Sequence, residues 1–302
     1  MKKVFASICL LMALSLTGLV LLFERSVIKK QGTYDISGLK NEVKVYFDEF
    51  GIPHIEAQNA QDGMRTLGFI TASERLFQME LLRRVINGSL SEVFGSKTLD
   101  IDILSRKMKF KRHAKKLLDD DEFLIRDEIK QKMQAYIEGV NQYIETMPLS
   151  AEFLLLDFRP GPFELADVLG VSSYMGMGFA EGLTSDVLFS ELMETLPAEK
   201  MELLRIGTSV DQDYFSTDKV VRLKVIDQIQ SAVQTVEGYL PLFSGSNAWV
   251  LSGKRSSSGF PIFANDPHIK MSNPHIFFEA HIKYPGLDLY GNYIPLSPFP
   301  VM

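Results

Sequence analysis

Apolar and polar positions change rhythm several times along this chain. Residues 4–23 carry no charge and follow Lys2 and Lys3. A run of about twenty such residues is long enough to span a bilayer as a helix. A secretory h-region is usually shorter. Ala13-Leu14-Ser15 and Ser15-Leu16-Thr17, the nearest small-x-small patterns, fall inside the run. The pattern therefore favours an uncleaved signal-anchor over a cleaved signal peptide, with the rest of the chain exported. Cys9 follows Ile8, not the small residue that precedes a lipoprotein cysteine, and reads as an apolar residue.

Residues 41–47 alternate as a strand, with Val43, Val45 and Phe47 on one side and Lys44 and Tyr46 on the other. Residues 48–53 make a turn, and 54–57 a second short strand. From Asp62 the period becomes helical. Leu67, Ile70, Phe77, Leu81 and Val85 share a face, and Asn87-Gly88 stops the helix. Ser89-Leu90-Ser91-Glu92 has capping-box spacing, which predicts a short helix ending at Gly95. Ile129, Met133, Ile137, Val140 and Ile144 form the apolar stripe of a helix over 127–146, closed by Pro148. The acidic run 119–122 before it reads as a solvated helix start. After the breaker Arg159-Pro160-Gly161-Pro162, helices are expected at about 165–179, 186–196 and 198–206. Residues 211–240 are more polar. Strands follow at 247–252, 260–264 and 276–284. A helical half thus meets the start of a β half, an α+β pattern.

Composition narrows the function classes. The 302 residues are 46% hydrophobic and 23% charged, which excludes disordered and low-complexity classes. Thirty-two basic residues against 38 acidic ones give a net charge of −6, so no basic footprint for nucleic acid exists. A single cysteine excludes an intramolecular disulfide framework and a cysteine-rich zinc site. Gly176-Met177-Gly178 lacks the third glycine and preceding strand of a dinucleotide fingerprint. His275 and His281 lack metal-ligand spacing with a third ligand and read as non-catalytic.

Gly245-Ser246-Asn247-Ala248-Trp249 heads the β half. A Gly-Ser dipeptide alone is usually a loop before a strand, and the Gly-x-Ser-x-Gly elbow of α/β-hydrolases is absent. The longer pattern is more specific. Gly245-Ser246-Asn247-Ala248-Trp249-Val250, then Asn265-Asp266-Pro267-His268, resembles the start of the catalytic β chain in the penicillin acylase family. Upstream, Asp48-Glu49-Phe50-Gly51-Ile52-Pro53-His54-Ile55, Leu67-Gly68-Phe69, Glu74-Arg75-Leu76-Phe77-Gln78-Met79-Glu80 with Arg83-Arg84, and Glu92-Val93-Phe94-Gly95 are similar to the α-chain signature. Ser73-Glu74 departs from the more usual Gln-Asp. The resemblance runs from about residue 43 to 291.

That resemblance implies an N-terminal-nucleophile hydrolase, an αββα sandwich of α+β class, incomplete here. It divides the chain into a leader (1–30), an α-chain-like helical part (31–210), a spacer (211–245) and the start of a catalytic β chain (246–302). It implies autoproteolysis of a zymogen at Gly245–Ser246, giving an α/β heterodimer. Ser246 would then be the nucleophile of an amidohydrolase acting on a small N-acyl amide, such as a penicillin or cephalosporin in antibiotic metabolism, or an acyl-homoserine lactone. A free α-amine titrates at about 7.7–8.0, so the new amine of Ser246 can serve as its own base. His268 matches a position that contacts the nucleophile's amine and the oxyanion in cephalosporin- and homoserine-lactone-acylase-like members; penicillin G acylases tend to have glutamine there. Asp186, in Thr184-Ser185-Asp186, matches a structural Ca²⁺ ligand. Its alternative reading is an acid favourable at a helix N-terminus. No organic cofactor is implied.

Residues 291–302 resemble the approach to a further family strand. The chain is therefore expected to be the front of a longer precursor, inactive alone because the asparagine completing the oxyanion hole lies beyond it. Losing one such donor costs about 10²–10³ in rate. The expected setting is periplasmic or extracytoplasmic, anchored in the inner membrane by residues 4–23. The alternative is a truncated, non-catalytic envelope binding or interaction protein.

Overall fold

In this computed structural model, residues 2–119, 125–179, 192, 195–197, 200 and 243–302 are described. The chain divides into two compact units, one of residues 1–83, 111–171 and 275–302, the other of 84–110 and 172–274.

The N-terminal run forms helix α1 (Lys2–Ser26). Its described face is open: Phe5, Leu11 and Leu16 are 71%, 67% and 64% exposed. Among the described residues no helix is long and apolar enough to cross a membrane. The described residues thus lend no support to the expectation that residues 4–23 cross a membrane.

The first unit is built on a four-stranded sheet in the order β1 (Lys44–Phe47), β2 (Pro53–Glu56), β5 (Phe278–Tyr284), β6 (Leu287–Tyr293). β1–β2 and β5–β6 are antiparallel, whereas the central β2–β5 pair is parallel, with His54 opposite His281 and Ile55 opposite Ile282. Asp48 makes the β1–β2 turn, its Oδ1 accepting the N–H groups of Phe50 and Ile52 at 2.9 Å. Gly51 completes that turn at φ +78°, a conformation that suits glycine. Ile55, Ala280 and Ile282 are fully buried on one sheet face. Helix α2 (Ala60–Asn87) packs there, the position of a Cβ on its Gly63 lying 3.3 Å from Ile282 and Tyr284.

Residues 127–146 form helix α6 (Asp127–Thr146), with the predicted bounds and stripe. It crosses α2 at two glycines. A Cβ on Gly68 would lie 2.0 Å from the Tyr136 carbonyl oxygen, and one on Gly139 would lie 1.9 Å from that of Arg65. Backbone therefore meets backbone, and Arg65 pairs with Glu138 beside the crossing. Of the expected α2 stripe, Leu67, Leu81 and Val85 are buried while Ile70 and Phe77 are half-buried, and Met64, Phe69, Ala72, Leu76, Met79 and Leu82 are buried besides. After α7 (Ala151–Leu155), Asn141 clamps the chain by bonding both Phe163 N–H (2.7 Å) and Phe163 C=O (3.0 Å). Helix α8 (Leu165–Phe179) then begins as expected.

In the second unit, α3 (Ser91–Phe94) lacks the predicted capping box: no side chain caps it. Asp102 does that work instead, its carboxylate accepting Leu90 N–H (2.7 Å) and Ser91 N–H (2.8 Å). Asp102 comes from α4 (Leu99–Met108); α4, and α5 (Phe110–Asp119), which belongs to the first unit from Lys111 on, fill stretches where the pattern assigns no element. β3 (Phe243–Leu251) and β4 (Ile262–Ile269) form a separate two-stranded antiparallel sheet. Most of 186–240, and 120–122 of the acidic run, lie outside the described residues, and with them most of the helices expected at 186–196 and 198–206 and of the spacer.

Candidate active site

Gly245 and Ser246 sit inside β3, near its start, where the register shifts between Phe243 and Gly245. Gly245 takes φ +152°, which a residue with a side chain rarely adopts. Along the ladder Gly245 faces His268, Ser246 faces Pro267, Asn247 faces Asp266, and Ala248 faces Asn265. The two expected motifs, at 245–250 and 265–268, are thus antiparallel partners in one hairpin. Pro267 has no N–H to donate, and a two-stranded sheet tolerates it because both strands are edges.

Side chains alternate along a strand. His268 and Asn247 share the Gly245 face, and Ser246 presents its side chain to the other. On the first face, His268 Nε2 lies 3.0 Å from Asp266 Oδ2 and 3.2 Å from Asn247 Nδ2. A Cβ on Gly245 would stand 3.6 Å from His268 Nδ1. The imidazole therefore lies against the backbone of the Gly245–Ser246 bond rather than against the serine hydroxyl. Sequence reasoning singled out His268 but not its partners Asp266 and Asn247. Both residues were present in the two quoted motifs, and only the register brings them to the same His268 nitrogen, which donates to Asp266 or accepts from Asn247 according to its tautomer.

The hairpin is open. Ser246 is exposed, and Trp249, Val250, Phe260 and Phe263 are 54%, 65%, 74% and 65% exposed. A cavity of about 640 Å³ in the first unit is lined by Ile28, Tyr34, Val45, Phe47, Phe69 and Ile70, among others, and by neither Ser246 nor His268. Asp186, the expected calcium ligand, lies outside the described residues. Among the described residues no group of three or more His, Cys, Asp or Glu side chains could hold a metal ion.

A family model described as penicillin amidase matches residues 42–302. The chain belongs to the penicillin amidase family. Relatives of this penicillin amidase family chain carry two kinds of name. It is 30% identical over 277 residues to penicillin acylase 2 proenzyme of Pseudomonas sp. (strain SE83), covering 88% of this chain and 35% of that protein. It is 32% identical over 288 residues to the acyl-homoserine lactone acylase QuiP of Pseudomonas putida (strain KT2440), covering 92% and 35%. The chain spans about a third of the length of the curated relatives it matches. A solved structure, a thermostable penicillin G acylase from Alcaligenes faecalis, is similar over 59% of this chain and 96% of that one, at 23% identity and a TM-score of 0.42.

Proposed function

We propose that this family member is the front part of an exported acylase precursor that cuts itself at Gly245–Ser246 and then uses Ser246 to hydrolyse a linear N-acyl amide. One observation carries the reading. In a chain of the penicillin amidase family, a serine follows a positive-φ glycine on a strand whose partner strand sets His268, held by Asp266 and Asn247, against that glycine. The relative named a proenzyme lends support to processing. Export rests on Lys2, Lys3 and the charge-free run 4–23.

The bond changes of self-cleavage balance with Gly245, Ser246 and one water. Ser246 Oγ attacks the Gly245 carbonyl carbon, the C–N bond breaks, and the nitrogen takes the hydroxyl proton. Water hydrolyses the resulting ester to a Gly245 carboxylate and a free Ser246. Glycine suits the attacked position because it has no Cβ to obstruct the approach. In turnover, Ser246 Oγ attacks the amide carbonyl of a substrate while its α-amine accepts the hydroxyl proton. That proton passes to the leaving amine, and water, deprotonated by the same amine, releases the acid. His268 orients the amine from the far side of the strand. The printed names of the relatives define the substrates to try: penicillins and acyl-homoserine lactones.

The test is peptide mapping of the native gene product by mass spectrometry, paired with amide-hydrolysis assays. The expected result is a peptide running from Ser246 to Lys254 with a free serine amine, absent in Ser246→Ala together with all turnover. Normal cleavage of the Ser246→Ala chain would overturn the nucleophile. An uncut, inactive wild-type product would leave the non-catalytic binding protein as the reading.

A further inference from the structure

The outer face of the four-stranded sheet carries a cross-strand row through every strand: Tyr46 opposite His54, His54 opposite His281, His281 opposite Tyr290. At its centre the two imidazoles meet edge to face, with Nδ1 of His54 2.9 Å from Nδ1 of His281. Each remaining ring nitrogen faces a carboxylate. His54 Nε2 lies 3.4 Å from Asp48 Oδ2, and His281 Nε2 lies 2.7 Å from Asp288 Oδ1.

A carboxylate only accepts hydrogen bonds, so it holds a proton on the nitrogen that faces it. A proton on Nε2 of each ring answers the carboxylate that faces it. Were both neutral, their Nδ1 lone pairs would point at each other across 2.9 Å. A proton between the two Nδ1 atoms removes that repulsion and makes the contact a hydrogen bond. We propose that His54 and His281 share one proton, and that this proton is a pH-dependent clamp across the β2–β5 seam.

The surroundings agree. From β1, Tyr46 stacks on His54 with centroids 4.6 Å apart, and Asp48 stands at the strand end. From β6 come Asp288 and Tyr290, whose hydroxyl donates to Glu279 of β5. On β5, Lys283 lies 3.2 Å from Asp288. Two carboxylates thus flank the pair against one lysine that one of them already neutralises. Asp288 is held below the ordinary carboxylate value, first by the hydrogen bond from His281 and then by that from Lys283. Asp48 is also lowered, chiefly by the Ile52 N–H, with His54 adding to it.

The clamp works only with one proton in place. A further proton, taken up in acid, points two N–H groups at each other and breaks the contact. Loss of the shared proton in base restores the lone-pair repulsion. The added stability therefore falls away on both sides of the one-proton state. His54 precedes Ser246 and His281 follows it. Under the processing proposed above, and only there, the clamp also joins two separate chains.

The test uses the Ser246→Ala chain, so that cleavage cannot enter. Proton–nitrogen-15 NMR of its imidazoles, followed across the pH range, is expected to show one strongly deshielded proton shared by the two Nδ1 atoms. The melting temperature is expected to trace a bell between about pH 5 and 9, with a rise of about 2–4 °C. His54→Gln and His281→Gln should each flatten the bell, and the double substitution should flatten it no further. His281→Asn, whose amide reaches the Nδ1 position, should keep the melting temperature while losing the bell. Two imidazoles titrating independently in the NMR experiment, or melting profiles that stay parallel across the substitutions, would overturn the shared proton. Failure of self-cleavage is read separately, on the wild-type chain, by the absence of a free amine at Ser246.

Discussion

Two acidic side chains in the first unit show how a single carboxylate can hold or strain the fold. Asp62 is fully buried, yet it accepts Lys40 N–H (2.9 Å), Asn41 N–H (3.0 Å) and the Asn59 amide. Burial works against its charge, and these hydrogen bonds outweigh that, keeping its pKa below the ordinary value. Asp167 is only 2% exposed and holds Glu164 N–H at 2.8 Å through one oxygen. Its other oxygen finds no hydrogen-bond partner among the described residues. Desolvation raises its pKa, and the Glu164 N–H, Arg83 and Lys111 offset this only in part. Between the unfolded and folded values the native state binds more protons, so stability falls as pH rises through that window. Asp167→Asn keeps an acceptor for Glu164 and removes the buried charge. It is expected to abolish that slope and to raise the urea midpoint at pH 7, as measured by urea titration at pH 4 to 7. At this scale the sequence is only partly readable. Ser246 and His268 stand out because chemistry marks them. Asp62, Asp167 and the His54–His281 pair do not, because their meaning lies in partners distant along the chain.

Elements divide in the same way. Helix α6 and the bounds of α8 follow directly from periodicity and from the flanking Pro148 and Pro162. Helices α4 and α5 escape because charged residues interrupt their apolar positions, and β6 escapes because Pro285-Gly286 reads as a stop although it is a tight hairpin turn. The capping box at Ser89 is a local signal overridden by Asp102, which reaches the same N–H groups from another helix. The α2–α6 crossing is also hidden, since nothing in a periodic pattern says that Gly68 and Gly139 touch opposing backbone. Replacing either by alanine gains helix propensity worth about 1 kcal/mol. It also forces a methyl group to within 1.9–2.0 Å of a carbonyl oxygen, and the helices must separate. Overpacking of this kind costs about 1–3 kcal/mol, with backbone contacts at the upper end. Gly139→Ala and Gly68→Ala are each expected to destabilise the chain by about 2 kcal/mol net, read from chemical denaturation. Gly161→Ala, where a Cβ meets nothing within 4 Å, serves as the neutral control.

At the scale of the whole molecule, the bond proposed for cleavage lies outside the sheet that ties the chain's two ends together. β1 and β2 come before Gly245–Ser246, and β5 and β6 come after it. Their joint is the parallel β2–β5 pairing, extended by Ala57 N–H donating to the Lys283 carbonyl at 2.9 Å. Beyond the sheet edge, the Gln78 amide of α2 donates to the His275 carbonyl at 3.1 Å. Arg75 of α2 stands over the Phe278 ring, its centroid 5.9 Å away. Ile276, Phe278, Ala280, Ile282, Tyr293, Ile294 and Leu296, all after the bond, are buried at 4% exposure or less. Burying a side chain of this kind contributes about 1.5–3 kcal/mol, so this segment is held by far more than one peptide link. Cleavage at Gly245–Ser246 is therefore expected to leave the pieces associated. After processing they should elute together in size-exclusion chromatography under native conditions and separate only in denaturant. Charge substitution at the centre of the joint, Ile282→Asp, should release the downstream piece from a processed sample. It leaves an unprocessed chain covalently whole, so the same substitution in the Ser246→Ala background should lower stability without producing two species. Two species that separate under native conditions in the wild type would show that the parallel pairing does not hold the molecule together.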